Sequence, residues 1–207
     1  MLESLNQKFI NLLSKYSDDK MLADEYWKEI KEHYSDKSRY YHNLDHIASM
    51  IFELETVKSE IEDWNSVLFS IFYHDIIYKS SANDNEEKSA EIAKNRLQKI
   101  NLSYTQINKI YNQILATKKH QLSADSETNY LLDADLSILG KSWNEYENYT
   151  KQIRKEYSIY PDFMYNPGRK KVLEHFLTFS NIYKTDFFRT KYEFQARKNI
   201  LKEIELL

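Results

Sequence analysis

Scarcity of turn chemistry constrains this chain more than any other feature: its 207 residues include only two glycines, Gly140 and Gly168, and two prolines, Pro161 and Pro167. Strand reversals draw heavily on residues that reach unusual backbone angles, and a many-stranded sheet needs such a reversal every few residues. This chain has too few of them. The expected fold is therefore all-α, a single compact multi-helix bundle over residues 1–207, of a length that buries an ordinary core.

Apolar periodicity predicts nine or ten helices, near 2–15, 20–34, 43–60, 64–78, 84–100, 104–119, 126–138, 142–158, 162–183 and 190–206. The first carries Leu2, Leu5, Phe9, Leu12 and Leu13 at helical spacing with charges between them, and lacks the uninterrupted apolar centre of a signal peptide. Ser103-x-x-Gln106 and Ser142-x-x-Glu145 have the form of capping boxes, and Asn83 is placed to cap the helix that opens DNEEKSAEIA. The longest uncharged run, Trp64 to Tyr73, is too short to span a bilayer. With 29 basic against 32 acidic residues the chain offers no general nucleic-acid-binding surface. It has no cysteine, which fits a cytoplasmic protein and leaves only nitrogen and oxygen ligands for any metal.

Within this pattern His74-Asp75 stands out, because it closes the most apolar segment, SVLFSIFYHDIIY. Burying an imidazole beside a carboxylate is unfavourable unless both are paired or bound to a cation, and neighbours on a helix do not face each other. Partners are sought among the six histidines and the acids in apolar surroundings. Arg39, His42 and His46 in RYYHNLDH are three and four residues apart, a spacing that lets them share a helix face. NYLLDADLSILG embeds Asp133 and Asp135 where a lone carboxylate protonates unless a cation holds it. His42, His74, Asp75 and Asp135 then supply two imidazoles and two carboxylates. The ordinary alternatives are a structural His-Asp pair and a partly exposed pair of histidines.

The phrases RYYHNLDHI, FYHDIIY, DNEEKSA, ATKKH, LLDADLSILG and IRKEY, in this order from about Arg39 to the C-terminus, resemble the HD-domain superfamily, in particular its branch of predicted metal-dependent phosphohydrolases. The resemblance implies an HD-type helical domain whose metal-site core spans about 39–140, with helices of 141–207 completing the pocket. It implies His42, His74, Asp75 and Asp135 as ligands, and favours Asp135 over Asp133 because Asp135 follows a small residue and precedes an aliphatic stretch. Asp133 is then expected to cap or orient. Glu86 lies where such enzymes carry an acid directed at the site, a candidate catalytic group beside Asp75; Glu87 reads better as favouring the positive end of a helix. His46 and His120 are implied as substrate contacts or ligands of a second metal.

Two imidazoles and two carboxylates suit one divalent ion among Mn²⁺, Fe²⁺, Co²⁺, Ni²⁺, Zn²⁺ and, less comfortably, Mg²⁺. The expected reaction is hydrolysis of a small phosphorylated molecule, a nucleotide being one candidate. Arg39, Arg154 and Arg169 are the candidate phosphate binders, ahead of Lys79 and Lys119, since the guanidinium fork matches phosphate oxygens. Tyr40, Tyr41, Tyr73, Tyr78, Tyr157 and Tyr160 cluster around the site segments and could line a pocket, although most tyrosines serve in packing. A di-iron oxygenase that recruits His46 and His120, and a module that binds ligand without turnover, are the alternatives.

Overall fold

Ten residues rich in Phe, Ile, Leu and Val, with no charge among them, form the helix around which the fold is built. This helix, α4 (Trp64–Tyr73), is started by Asp63, whose carboxylate accepts the Ser66 N–H, and everything from Ser66 to Tyr73 is buried. Such a helix is covered on all sides, as an apolar helix must be. Its two serines are satisfied locally: the Ser66 hydroxyl donates to Asp63, and the Ser70 hydroxyl donates to Gln113 at 2.6 Å.

The computed structural model describes residues 2–207, with side chains from Leu5 onward. Met1 and the side chain of Leu2, the first member of the expected apolar stripe, lie outside the described residues. Helices α1 (Leu2–Leu13), α3 (Leu44–Glu55), α5 (Asn85–Leu97), α6 (Tyr104–Ala116) and α7 (Ser126–Asp135) pack directly on α4, and α2 (Lys20–Tyr34) packs on α1. A 3-10 turn at Leu136–Gly140 leads into α8 (Trp143–Glu156), α9 (Asp162–Thr178) and α10 (Asp186–Leu206), with α10 lying against both that turn and α9. One continuous apolar core runs through these elements, from Leu5 to Ile200. Among the described residues the chain forms ten α-helices and no strand, so the fold is all-α. Among the described residues no helix is long and apolar enough to cross a membrane.

Both capping boxes are present, at Ser103/Gln106 and Ser142/Glu145. Asn83 does not cap: Asp84 takes that position without a side-chain bond, and the Asn83 carbonyl instead accepts the Lys118 ammonium. The most consequential difference is where α4 ends. Periodicity extends it to 78, but it stops at Tyr73 because other groups take the backbone of the next residues. The Arg39 guanidinium donates to the Asp75 and Ile76 carbonyls at 2.6 and 2.9 Å, and the Ser89 hydroxyl accepts the Ile77 N–H. Residues 39–43 are likewise irregular, and α3 starts only at Leu44, capped by Asn43, so Arg39 and His42 do not share a helix face with His46.

Candidate metal centre

Three helix ends meet at one point. The C-terminus of α4 delivers His74 and Asp75, the first turn of α3 delivers His46, and the last residue of α7 is Asp135. One donor atom each from His46, His74 and Asp75 lie within 4.8 Å of one another. Asp135 Oδ1 is 3.0 Å from His46 Nε2 and 3.9 Å from His74 Nε2, and Asp75 Oδ2 is 3.2 Å from His74 Nε2. Both Nε2 atoms are buried and neither is aligned for a hydrogen bond. His74 Nδ1 lies 2.9 Å from the Ile71 carbonyl and donates to it, which leaves Nε2 as the lone-pair nitrogen whenever the ring is neutral. Two buried imidazole nitrogens and two carboxylates thus converge without an aligned hydrogen bond from either imidazole, an arrangement that a cation would satisfy.

In the absence of a metal ion, a proton partly fills that role. Burial pushes the His74 imidazole down, but the adjacent Asp75 charge, helped by Asp135, overcomes it and raises the group to about 9. Burial likewise opposes ionisation of Asp75 and Asp135, yet the surrounding imidazoles hold both carboxyls below the usual range. For His46, burial prevails and lowers the imidazole.

Two further histidines border this group. His120, in the left-handed region with φ 49° just after α6, sets Nε2 2.8 Å from Asp135 Oδ2, the oxygen that faces away from His46. His42 points Nδ1 at Glu156 Oε2, 2.7 Å away, and stacks on the Tyr78 ring. Glu156 is buried and also accepts the Tyr41 and His42 N–H groups and the Tyr78 hydroxyl, so it fixes the whole 41–42 segment.

The expected ligand set therefore needs one adjustment. His74, Asp75 and Asp135 come together as expected, but the tightest group contains His46, while His42 stands beside it with one nitrogen committed to Glu156. The reason is local: α3 begins after His42, and its first turn directs His46 inward. Asp133 faces elsewhere. Fully buried, it accepts the Lys184 and Thr185 N–H groups and the Thr185 hydroxyl at 2.7 to 2.8 Å, and so anchors the start of α10. Nothing near Glu156 in QIRKEY distinguishes it from a solvated charge run, because its partners lie 78 to 115 residues upstream.

Glu86, in the first turn of α5, has its carboxyl raised by burial and further by the Asp75 charge, and stands 3.9 Å from Lys118 Nζ. Glu87 pairs with the same lysine. The three arginines are occupied by protein groups. Arg39 donates to backbone carbonyls between the Tyr34 and Tyr78 rings, Arg154 to Asp162 and the carbonyls of Tyr157 and Tyr160, and Arg169 to both oxygens of Glu203. Only Arg169 of the three lines the adjoining cavity.

That cavity, about 600 Å³, joins His42, His120, Asp135 and Glu86 to side chains of α8 and α9. Of the six tyrosines singled out in the sequence, Tyr41, Tyr78, Tyr157 and Tyr160 line it, whereas Tyr73 belongs to the core and Tyr40 to a smaller neighbouring pocket. No family model matches the chain, and no curated protein shows significant similarity to it. What the site does must be argued from its own donors: it can hold a divalent cation at the edge of a cavity sized for a small organic molecule.

Proposed function

We propose that this protein is a metal-dependent phosphohydrolase that acts on a small phosphorylated molecule. The observation that carries the reading is the pair of buried imidazole nitrogens, on His46 and His74, that face two carboxylates without an aligned hydrogen bond to either. His46, His74, Asp75 and Asp135 would hold one divalent ion, with His42 adjacent. The ion, drawn from Mn²⁺, Fe²⁺, Co²⁺, Ni²⁺, Zn²⁺ or Mg²⁺, supplies Lewis-acid activation of a water and of a phosphoryl oxygen. Glu86, with a carboxyl already raised by burial, is suited to take a proton from that water. Glu156 and Tyr78 hold His42 in place, and Lys118 puts a positive charge on the cavity wall. The resemblance to HD-domain phosphohydrolases agrees with this chemistry, and the cysteine-free chain suits a cytoplasmic setting.

The test is reconstitution of chelator-treated protein with each ion, followed by a screen of phosphomonoesters, phosphodiesters and phosphoanhydrides. Turnover that disappears together with the metal in Asp75→Ala supports the reading; turnover that persists in a metal-free Asp75→Ala variant refutes it. One feature favours a second reading, a di-iron oxygenase: Asp135 offers Oδ1 to His46 and Oδ2 to His120, as a carboxylate shared between two ions does. Two irons per chain and oxygen consumption would mark it.

A further inference from the structure

The walls of the cavity beyond the metal group say what the rest of the substrate is like. Helix α9 buries only Tyr165 and Leu173 of its seventeen residues. Along one of its faces, at intervals of four, Met164, Gly168, Val172 and Phe176 line the cavity, and Met164 and Val172 are 52% and 48% exposed. An exposed apolar stripe on the wall of a concave site is a binding surface awaiting an apolar group. The tyrosines contributed by α8 and its flanks add aromatic area to the same cavity.

Charge points the same way. The cavity wall has two permanent cations, Lys118 and Arg169. Lys118 is paired with Glu87, Arg169 is held by both oxygens of Glu203, and the wall also carries the carboxylates of Glu86 and Asp135. A polyphosphate needs several uncommitted cations to balance its charge. A single phosphoryl group can be balanced at the metal group alone.

We infer that the substrate is a phosphomonoester of an apolar, aromatic-sized alcohol, with its phosphoryl group at the metal cluster and its organic group against the α9 stripe. This rests on the phosphohydrolase reading. In the reaction, the water oxygen bonds to phosphorus and the ester P–O bond breaks, its electron pair staying on the organic oxygen. That oxygen takes up a proton, so the products are an alcohol and inorganic phosphate.

The test uses Mn²⁺-loaded full-length protein and two uncleavable probes, 1-naphthylmethylphosphonate and adenosine 5′-(β,γ-imido)triphosphate, titrated calorimetrically beside turnover of 1-naphthyl phosphate and ATP. The naphthyl probe is expected to bind about tenfold tighter, because its ring is wholly apolar and its single phosphonate needs fewer cations than a triphosphate. A Cβ at Gly168 meets nothing within 4 Å, so a side chain can start there without backbone strain; Gly168→Phe, checked for folding by circular dichroism, is expected to weaken the naphthyl probe by about tenfold while metal content stays unchanged. Val172→Ser, which adds no bulk, weakens it in the same direction. Equal or tighter binding of the triphosphate, no binding of the naphthyl probe, or indifference to both substitutions overturns the inference. If the naphthyl probe binds as expected but 1-naphthyl phosphate is not cleaved, the ligand class stands and the hydrolase reading alone fails.

Discussion

The His74 ring holds a proton that an ion in the proposed metal centre would have to displace, and that proton shapes the pH behaviour expected of the protein. In the metal-free chain its raised value, about 9, contributes stability that is fully present below the unfolded value of about 6.5 and is lost as pH rises through about 9. Asp75, held low, contributes stability present above about 4 and lost as pH falls through its folded value. Urea denaturation of chelator-treated protein should accordingly show greater stability at pH 5.5 than at pH 9.5. Metal binding must expel the His74 proton, so affinity for Zn²⁺ or Mn²⁺ should strengthen by up to roughly tenfold per unit between pH 6 and 9. A flat profile would remove His74 from the ligands. Asp133, by contrast, is a purely structural carboxylate: Asp133→Ala strands the Lys184 and Thr185 N–H groups and should destabilise the fold by about 3 kcal/mol in chemical denaturation, with metal content intact. His74, Asp75 and Asp135 could be picked out in the sequence because charge in an apolar run has few explanations. His46 could be named only as a substrate contact or a ligand of a second metal, and Glu156 not at all, since their places depend on where α3 begins and on what α8 brings back from a hundred residues away.

Each predicted helix is found close to its expected position, because periodicity and the lack of Gly and Pro bear directly on whether a segment coils. Helix ends were less legible, and α4 shows why. A pattern of apolar residues runs on through Ile76 and Ile77, but the Ser89 hydroxyl takes the Ile77 N–H that a helix reaching 78 would have given to the Tyr73 carbonyl, and Arg39 holds the Asp75 and Ile76 carbonyls. The helix therefore closes on His74, its C-cap, and presents His74 and Asp75 to the site from that end. The two glycines make opposite contributions. At Gly140 the 3-10 turn approaches α10 so closely that a Cβ would fall 2.4 Å from Tyr192 Cβ, whereas at Gly168 the space is open. Gly140→Ala is expected to destabilise by about 2–3 kcal/mol through overpacking, and Gly168→Ala to stabilise by up to about 1 kcal/mol through helix propensity. Thermal unfolding of the two variants beside the parent checks both signs; equal shifts would contradict the packing described for α10.

The whole molecule joins a core built on α4 to a pair of later helices, α8 and α9, that wall a cavity over the histidine and aspartate cluster. Because the candidate ligands come from three helix ends, an ion bound there would tie α3, α4 and α7 together and would favour the folded state. At a free concentration a hundred times its Kd, the ion should add about 2.7 kcal/mol of stability, visible as a chelator-reversible rise in melting temperature. Composition and pattern foreshadowed the helical architecture, but not the cavity, whose walls are assembled from segments that carry no shared local signal. Everything proposed for function depends on an ion held by His46, His74, Asp75 and Asp135. The decisive measurement is elemental analysis of purified protein beside Asp75→Ala, with circular dichroism to verify that the variant is folded. About one transition-metal ion per chain, absent from the variant, is the predicted result. No metal in the parent protein, even after incubation with Mn²⁺, Co²⁺ or Ni²⁺, would contradict it.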